Sequence, residues 1–129
     1  MDTTDDAPLI ALAEDSPALR RLLTSALESI GYRVVPAETG EHLLATVRRL
    51  VAEGAPLRLI ITDVRMPSLG GLEAARELRA AGNATPLIFM TAFGDAWTRT
   101  QAAELGAQLL DKPLSLAALR RAVTMTLAA

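Results

Sequence analysis

Five side chains with charged or reactive ends stand at the close of short apolar runs. Glu14 and Asp15 follow LIALA, Asp63 follows LRLIIT, Thr91 closes PLIFMT, and Lys112 follows AQLLD. If these runs lie side by side, three carboxylates, a hydroxyl and an ammonium meet at one edge. Carboxylates that close repel one another, which raises at least one pKa unless a cation neutralises them. The chain has no cysteine and a single histidine, His42, so no His cluster can form and the donor set is all oxygen. Such a set selects a hard ion, and Mg²⁺ characteristically takes one or two carboxylates, keeps waters and shares phosphate oxygens. Lys112 offers a compact positive charge to a phosphate oxygen, and Thr91 a hydrogen-bond donor. Asp63, alone at its tip, is the candidate nucleophile, since carboxylates do act as phosphoryl acceptors. The chemistry that fits is Mg²⁺-assisted phosphate chemistry.

The runs that must position these groups are short and rich in Ile, Leu and Val: Leu9 to Ala13, Tyr32 to Pro36, Leu57 to Thr62, Pro86 to Thr91 and, more weakly, the run AQLLDKP. Three of them lack the alternation of a half-exposed strand, as expected where both faces of a parallel sheet are covered. Between them lie helical patterns. Leu19, Leu22, Leu23, Ala26, Leu27 and Ile30 keep helical spacing behind Ser16 as N-cap and Pro17, with Gly31 as stop. Leu43, Leu44, Val47, Leu50 and Val51 form a second helix ended by Gly54; Leu72, Ala75 and Leu78 a third ended near Gly82. A less periodic fourth runs from Asp95 to Leu105 before Gly106, and Leu116, Leu119, Val123 and Leu127 mark a fifth behind Ser115. Strand-helix alternation repeated five times predicts an α/β fold, because parallel neighbours need a right-handed crossover. The simplest closure is a doubly wound, five-stranded parallel sheet, (βα)5, in the flavodoxin-like order 2-1-3-4-5. Ligands of such sheets collect outside the carboxyl ends of the strands, where the five reactive groups fall. The second strand offers only Pro36-Ala37-Glu38 there.

At 129 residues, half of them hydrophobic and 22% charged, the chain suits one domain closed by packing alone. Residues 1–7 are expected to be a short tail and 8–129 the domain. A formal net charge of −2 gives no basic field for nucleic acid, and the Arg pairs at 20/21, 48/49 and 120/121 are expected on solvated helix faces. No apolar run approaches the ~20 residues that span a bilayer, and the start MDTTDDAP is acidic where a signal peptide would be basic. With no cysteine, a cytoplasmic location is the simpler expectation. Met66, Met90, Met125 and Trp97 read as packing residues, and His42 as exposed or partly packed and no ligand.

Four segments carry a family resemblance: AEDSP with the acid pair, IITDVRMPSLGGLEAARELR with Asp63, Met66-Pro67 and a Gly-Gly turn, FMTAFGD with Thr91, and GAQLLDKPLSLAAL with Lys112-Pro113. Over residues 7 to 128 the chain resembles the receiver domains of the response regulators of two-component signalling. The resemblance implies that a histidine kinase or phosphotransfer protein donates a phosphoryl group to Asp63 in a Mg²⁺-dependent step. Glu14, Asp15, Asp63 and the backbone carbonyl of Arg65 would hold the ion, Thr91 and Lys112 would meet the phosphoryl group, and the peptide before Pro113 would be cis. Such a domain phosphorylates and dephosphorylates itself rather than turning over substrate, and it acts as a switch. In the family, Thr91 would swing toward the phosphoryl group and an aromatic on the fifth strand would follow it, remodelling the helix 4, strand 5, helix 5 face for a downstream effector. The position of that aromatic, three before the lysine, is Leu109, which has no polar end to exchange environments.

Arg65 and Phe93, each two residues past a site residue, are expected to flank the phosphoryl group and slow its hydrolysis. Two rival readings fit less well. A Mg²⁺-dependent aspartyl-nucleophile phosphatase would want a second aspartate two residues after the nucleophile, where Arg65 stands. A flavodoxin-like cofactor binder would want a phosphate-binding loop after the first strand, where Glu14-Asp15 would repel phosphate.

Overall fold

The computed structural model describes residues 7–128, and the tail expected over residues 1–7 falls, apart from Ala7, outside them. The chain alternates β1 (Leu9–Ala13), α1 (Pro17–Glu28), β2 (Arg33–Ala37), α2 (Gly40–Ala52), β3 (Leu57–Asp63), α3 (Gly71–Ala80), β4 (Leu87–Thr91), α4 (Ala96–Glu104), β5 (Gln108–Asp111) and α5 (Leu116–Ala128). The strands form one parallel sheet in the order β2-β1-β3-β4-β5, as the strand-helix alternation predicts.

Successive side chains of a strand point to opposite faces, and the two faces of the sheet feed two cores. Ala11, Ala13, Ile60 and Phe89 pack with Leu43, Val47, Leu72, Leu78 and Ala102 under α2, α3 and α4. Ile10, Leu12, Leu59, Ile61, Ile88 and Met90 pack with Leu23, Leu27, Leu119 and Val123 under α1 and α5. The residues of β1 and β4 are all buried, whereas the edge strand β2 is mostly half-exposed. That split is why three of the runs lack alternation. Each fully buried Leu, Ile or Phe of the central strands contributes about 1.5–3 kcal/mol, so the strand tips are fixed by the best-packed part of the molecule.

The expected caps are present. Ser16 accepts from Leu19 N–H (3.3 Å), and Ser115 accepts from Ala118 N–H (3.2 Å). Gly31, Gly54, Gly82 and Gly106 follow their helices with positive φ. Boundaries moved in small ways. β2 starts at Arg33 and closes on Ala37, and β3 runs one residue further than the apolar pattern, taking in Asp63, which pairs with Met90. Several packing expectations fail. Met66 and Met90 are buried, but Met125 and Trp97 are 65% and 53% exposed, Trp97 with the Arg76 guanidinium over its ring at 5.9 Å. Leu22 and Val51 keep helical spacing yet are also exposed, because only about a third of each helix circumference meets the sheet, and Ile30 is exposed in the turn after α1. Arg20 is not on a solvated face; it is half-buried and donates to the Glu14 carbonyl at 2.8 Å.

Candidate functional site

The carboxyl ends of β1, β3, β4 and β5 supply the site. Glu14 continues β1, its N–H donating to Ala37 O at 3.1 Å, and its side chain is 1% exposed. Asp15 stands at the rim, exposed. Asp63 ends β3 and is buried, and Val64 N–H donates to Met90 O at 2.9 Å, tying the following residue to β4. Oxygens of Glu14, Asp15 and Asp63 lie within 4.8 Å of one another. Thr91, also buried, ends β4, and its hydroxyl oxygen accepts from Phe93 N–H at 3.0 Å, which leaves the hydroxyl proton free to donate. Lys112 N–H donates to Thr91 O at 2.7 Å, and its Nζ lies 2.7 Å from Asp63 Oδ1 and 3.0 Å from Glu14 Oε2. The Lys112-Pro113 peptide is cis.

The support behind Asp63 is a close helix contact. A Cβ on Gly71, the first residue of α3, would overlap the Asp63 carbonyl oxygen and the Thr62 hydroxyl and come within 2.8 Å of Thr62 Cγ2. Glycine there lets α3 seat directly against the tip of β3.

Burial, Glu14 and Lys112 compete to set the charge. Burial and the Glu14 carboxylate push the Asp63 carboxyl up to about 8, against the pull of Lys112. Burial also pushes Glu14 up, but hydrogen bonds with Asp63, Lys112 and Ser16 N–H outweigh it and hold Glu14 below the usual range. For Lys112 burial works against the ammonium, and the bonds to Asp63 and Glu14 more than offset it, so its pKa is raised. Two buried carboxylates against one ammonium leave an excess of negative charge, which favours a proton on Asp63. Buried Asp63 Oδ2 has no hydrogen-bond partner among the described residues. Three oxygen ligands around an orphaned, buried carboxylate oxygen fit a hard divalent cation.

A cleft of about 220 Å³ opens over these groups, lined by Asp15, Asp63, Arg65, Thr91, Phe93 and Lys112 among others. The Arg65 guanidinium stacks over the Phe93 ring at 5.9 Å from its centroid, a cation–π pair at the mouth. Phe93 is 68% exposed and lines the cleft. The structure therefore brings together Glu14, Asp15, Asp63, Thr91 and Lys112, with Arg65 in the wall of the cleft. His42 is exposed and away from it, its Nδ1 accepting from Glu38 N–H at 3.3 Å. Arg20 was missed as a support of Glu14, although an arginine in the first turn after an acid pair was the available signal. Leu109, half-buried in β5 opposite Phe89, packs into the core under α4.

Comparison with known proteins agrees with this geometry. The model of the response regulator receiver domain matches residues 10–124. The transcriptional regulatory protein FixJ of Azorhizobium caulinodans is 37% identical over 121 residues, covering 92% of this chain and 54% of that protein. The probable transcriptional regulator ycf27 of Pyropia yezoensis is 35% identical over 107 residues, covering 82% of this chain and 42% of that protein. The chain thus spans about half the length of the curated relatives it matches. Among solved structures, the signal receiver domain of a putative Luxo repressor protein from Vibrio parahaemolyticus superposes with a TM-score of 0.85 at 25% identity, over 95% of this chain and 91% of that one. The Vibrio cholerae chemotaxis protein CheY4 does so at 0.81 and 25%, over 93% and 98%. The fold, the strand order and the family model agree: the chain belongs to the response regulator receiver domains.

Proposed function

We propose that the chain accepts a phosphoryl group on Asp63 from the phosphohistidine of a histidine kinase or phosphotransfer protein, in a Mg²⁺-dependent step, and that the added charge switches a protein-interaction face. The observation that carries this is the buried Asp63 carboxylate, paired with Lys112 at 2.7 Å and gathered with Glu14 and Asp15 around an unpartnered oxygen. A carboxylate oxygen of Asp63 attacks phosphorus, and the bond to the donor imidazole breaks with its electron pair going to the imidazole. Lys112, 2.7 Å from Asp63 Oδ1, would move from the carboxylate to a phosphoryl oxygen, and the Thr91 hydroxyl would donate its proton to another. Glu14, Asp15, Asp63 and the Arg65 carbonyl are the groups that would hold Mg²⁺. The ion supplies positive charge that neutralises the carboxylates and the transferring phosphoryl oxygens.

The effector face is the one formed by α4, β5 and α5. Arg99 of α4 bridges to Asp111 at the end of β5 (3.1 Å) and donates to Gly94 O (3.0 Å), linking the α4 start to the β5 tip beside Lys112. That link offers a route from the site to the face that does not need an aromatic at Leu109. The setting is cytoplasmic, where kinases present phosphohistidine; no helix among the described residues is long and apolar enough to cross a membrane.

Beryllium fluoride with Mg²⁺, followed by amide NMR shifts, tests the reading. Shifts at Asp63, Thr91 and Lys112 that vanish in Asp63→Ala support it. Steady turnover of a small phosphate ester would favour the phosphatase instead.

A further inference from the structure

We propose that the N-terminus of α2 clamps the loop that follows Asp63, with Glu41 as a positioning residue for the loop that carries Arg65, whose carbonyl would be a Mg²⁺ ligand. The clamp rests on the receiver reading. Residues 64–70 leave the tip of β3, pass Arg65, and return at Gly70 to start α3. Val64 is tied to the sheet through Met90 O and to α3 through Leu72 N–H, and Met66 packs into the core with Leu69 against it. Beyond Arg65, Met66 is buried but Pro67 and Ser68 are exposed, and exposed loop backbone holds its place only where something bonds to it.

What bonds to it here is α2. The two carboxylate oxygens of Glu41 take separate donors: Oε2 accepts the Ser68 hydroxyl at 2.6 Å and Oε1 accepts Leu69 N–H at 3.1 Å. Gly40 N–H adds a bond to Leu69 O at 2.9 Å. A Cβ on Gly40 would overlap Leu69 O and lie 2.8 Å from Gly70 O, so glycine is what allows the loop to come this close. Ser68 sits at φ 70°, a conformation that non-glycine residues seldom adopt, and its hydroxyl bond to Glu41 holds it there. Glu41 also lies in the first turn of α2, where the helix dipole favours a carboxylate. The Ser68 hydroxyl holds its carboxyl below the usual range, so it stays ionised wherever the site works. Glu41 itself is exposed and packs against no core residue. Its removal should therefore loosen the loop without unfolding the domain.

Mg²⁺ alone, titrated into the full chain and followed by amide NMR, tests the clamp. Groups that orient a metal's ligands are worth roughly 10–100-fold in affinity. Glu41→Ala should weaken Mg²⁺ binding about tenfold and speed hydrogen exchange at the Leu69 amide, while exchange at core Leu12 and the melting temperature in EDTA stay near wild type. Glu41→Gln keeps an acceptor for Leu69 N–H and can meet Ser68 Oγ through its amide, so it should recover most of the affinity. A wild-type chain with no Mg²⁺ response would overturn the receiver reading and the clamp together. A wild-type response that Glu41→Ala leaves unchanged, with or without faster Leu69 exchange, overturns the clamp alone.

Discussion

Asp63 should make the metal-free protein less stable as pH rises, the reverse of what an ordinary surface aspartate does. Its carboxyl is pushed up to about 8 in the fold, against a reference value of 3.8 in the open chain. A group raised on folding favours the fold most below its unfolded pKa, and that contribution is lost as pH climbs through the folded value. Glu14, held below 4.5, and Lys112, held above 10.5, do not change charge between pH 5 and 8, so this window belongs to Asp63 within the cluster. Linkage gives a slope of about −1.4 kcal/mol per pH unit, or a ceiling near 3 kcal/mol between about pH 5.5 and about pH 7.5. The open cleft lets water screen part of it, leaving about 1–2 kcal/mol, or roughly 3–8 °C for a domain of this size. Thermal unfolding by circular dichroism in EDTA reads this directly. Asp63→Asn should melt higher than wild type at pH 7.5 and lose the slope. On the proposed reading Mg²⁺ takes the deprotonated carboxylates in competition with the proton, so it should raise the melting temperature more at pH 7.5 than at 5.5. A flat or rising wild-type profile in EDTA, or an Asp63→Asn profile parallel to it, would refute the assignment of the proton to Asp63.

Three further outcomes follow from single contacts. Gly71→Ala forces α3 away from the tip of β3 and should cost about 1–3 kcal/mol, slowing phosphorylation as well; urea unfolding and an acetyl phosphate assay check both, and an unchanged midpoint would show that the overlap is relieved freely. Replacing both Arg65 and Phe93 by Ala removes the pair at the cleft mouth and should hasten loss of the phosphoryl group to water severalfold, read as the decay of the phosphorylated form; an equal or slower decay sinks the shielding role. Arg79 donates to Leu105 O, Asn83 O and Thr85 O at 3.2, 3.0 and 2.7 Å, fastening the end of α3 to the end of α4 and the approach to β4. Arg79→Met should cost about 2 kcal/mol, and a urea midpoint equal to wild type would count against those bonds.

The sheet was legible because its signal is strong and local. β1, β3 and β4 are buried on both faces, so they read as unbroken Ile, Leu and Val runs, and glycines mark the ends of the helices between them. The site was legible for a different reason: strand order converts distant residues into neighbours, so Glu14, Asp63 and Lys112 meet once β1, β3 and β5 are placed. Side-chain exposure was harder to read, because periodicity says which residues share a face and not how wide the covered stripe is; Met125 and Trp97 show this. Beyond the helix caps, contacts to backbone were hard to read. Arg79 to three carbonyls and Glu41 to the Leu69 amide join groups whose partner is any residue's main chain, and no pairing of residue types betrays them.

The most direct test is where the phosphoryl group goes. Incubation of the chain with Mg²⁺ and acetyl phosphate, or with a phosphorylated histidine kinase, followed by intact mass and by peptide mapping after borohydride reduction of the acyl phosphate, should show one phosphoryl group per chain, at Asp63. It should be absent with EDTA and absent in Asp63→Asn. Modification at another residue, or a mass gain that persists in Asp63→Asn, would contradict the account.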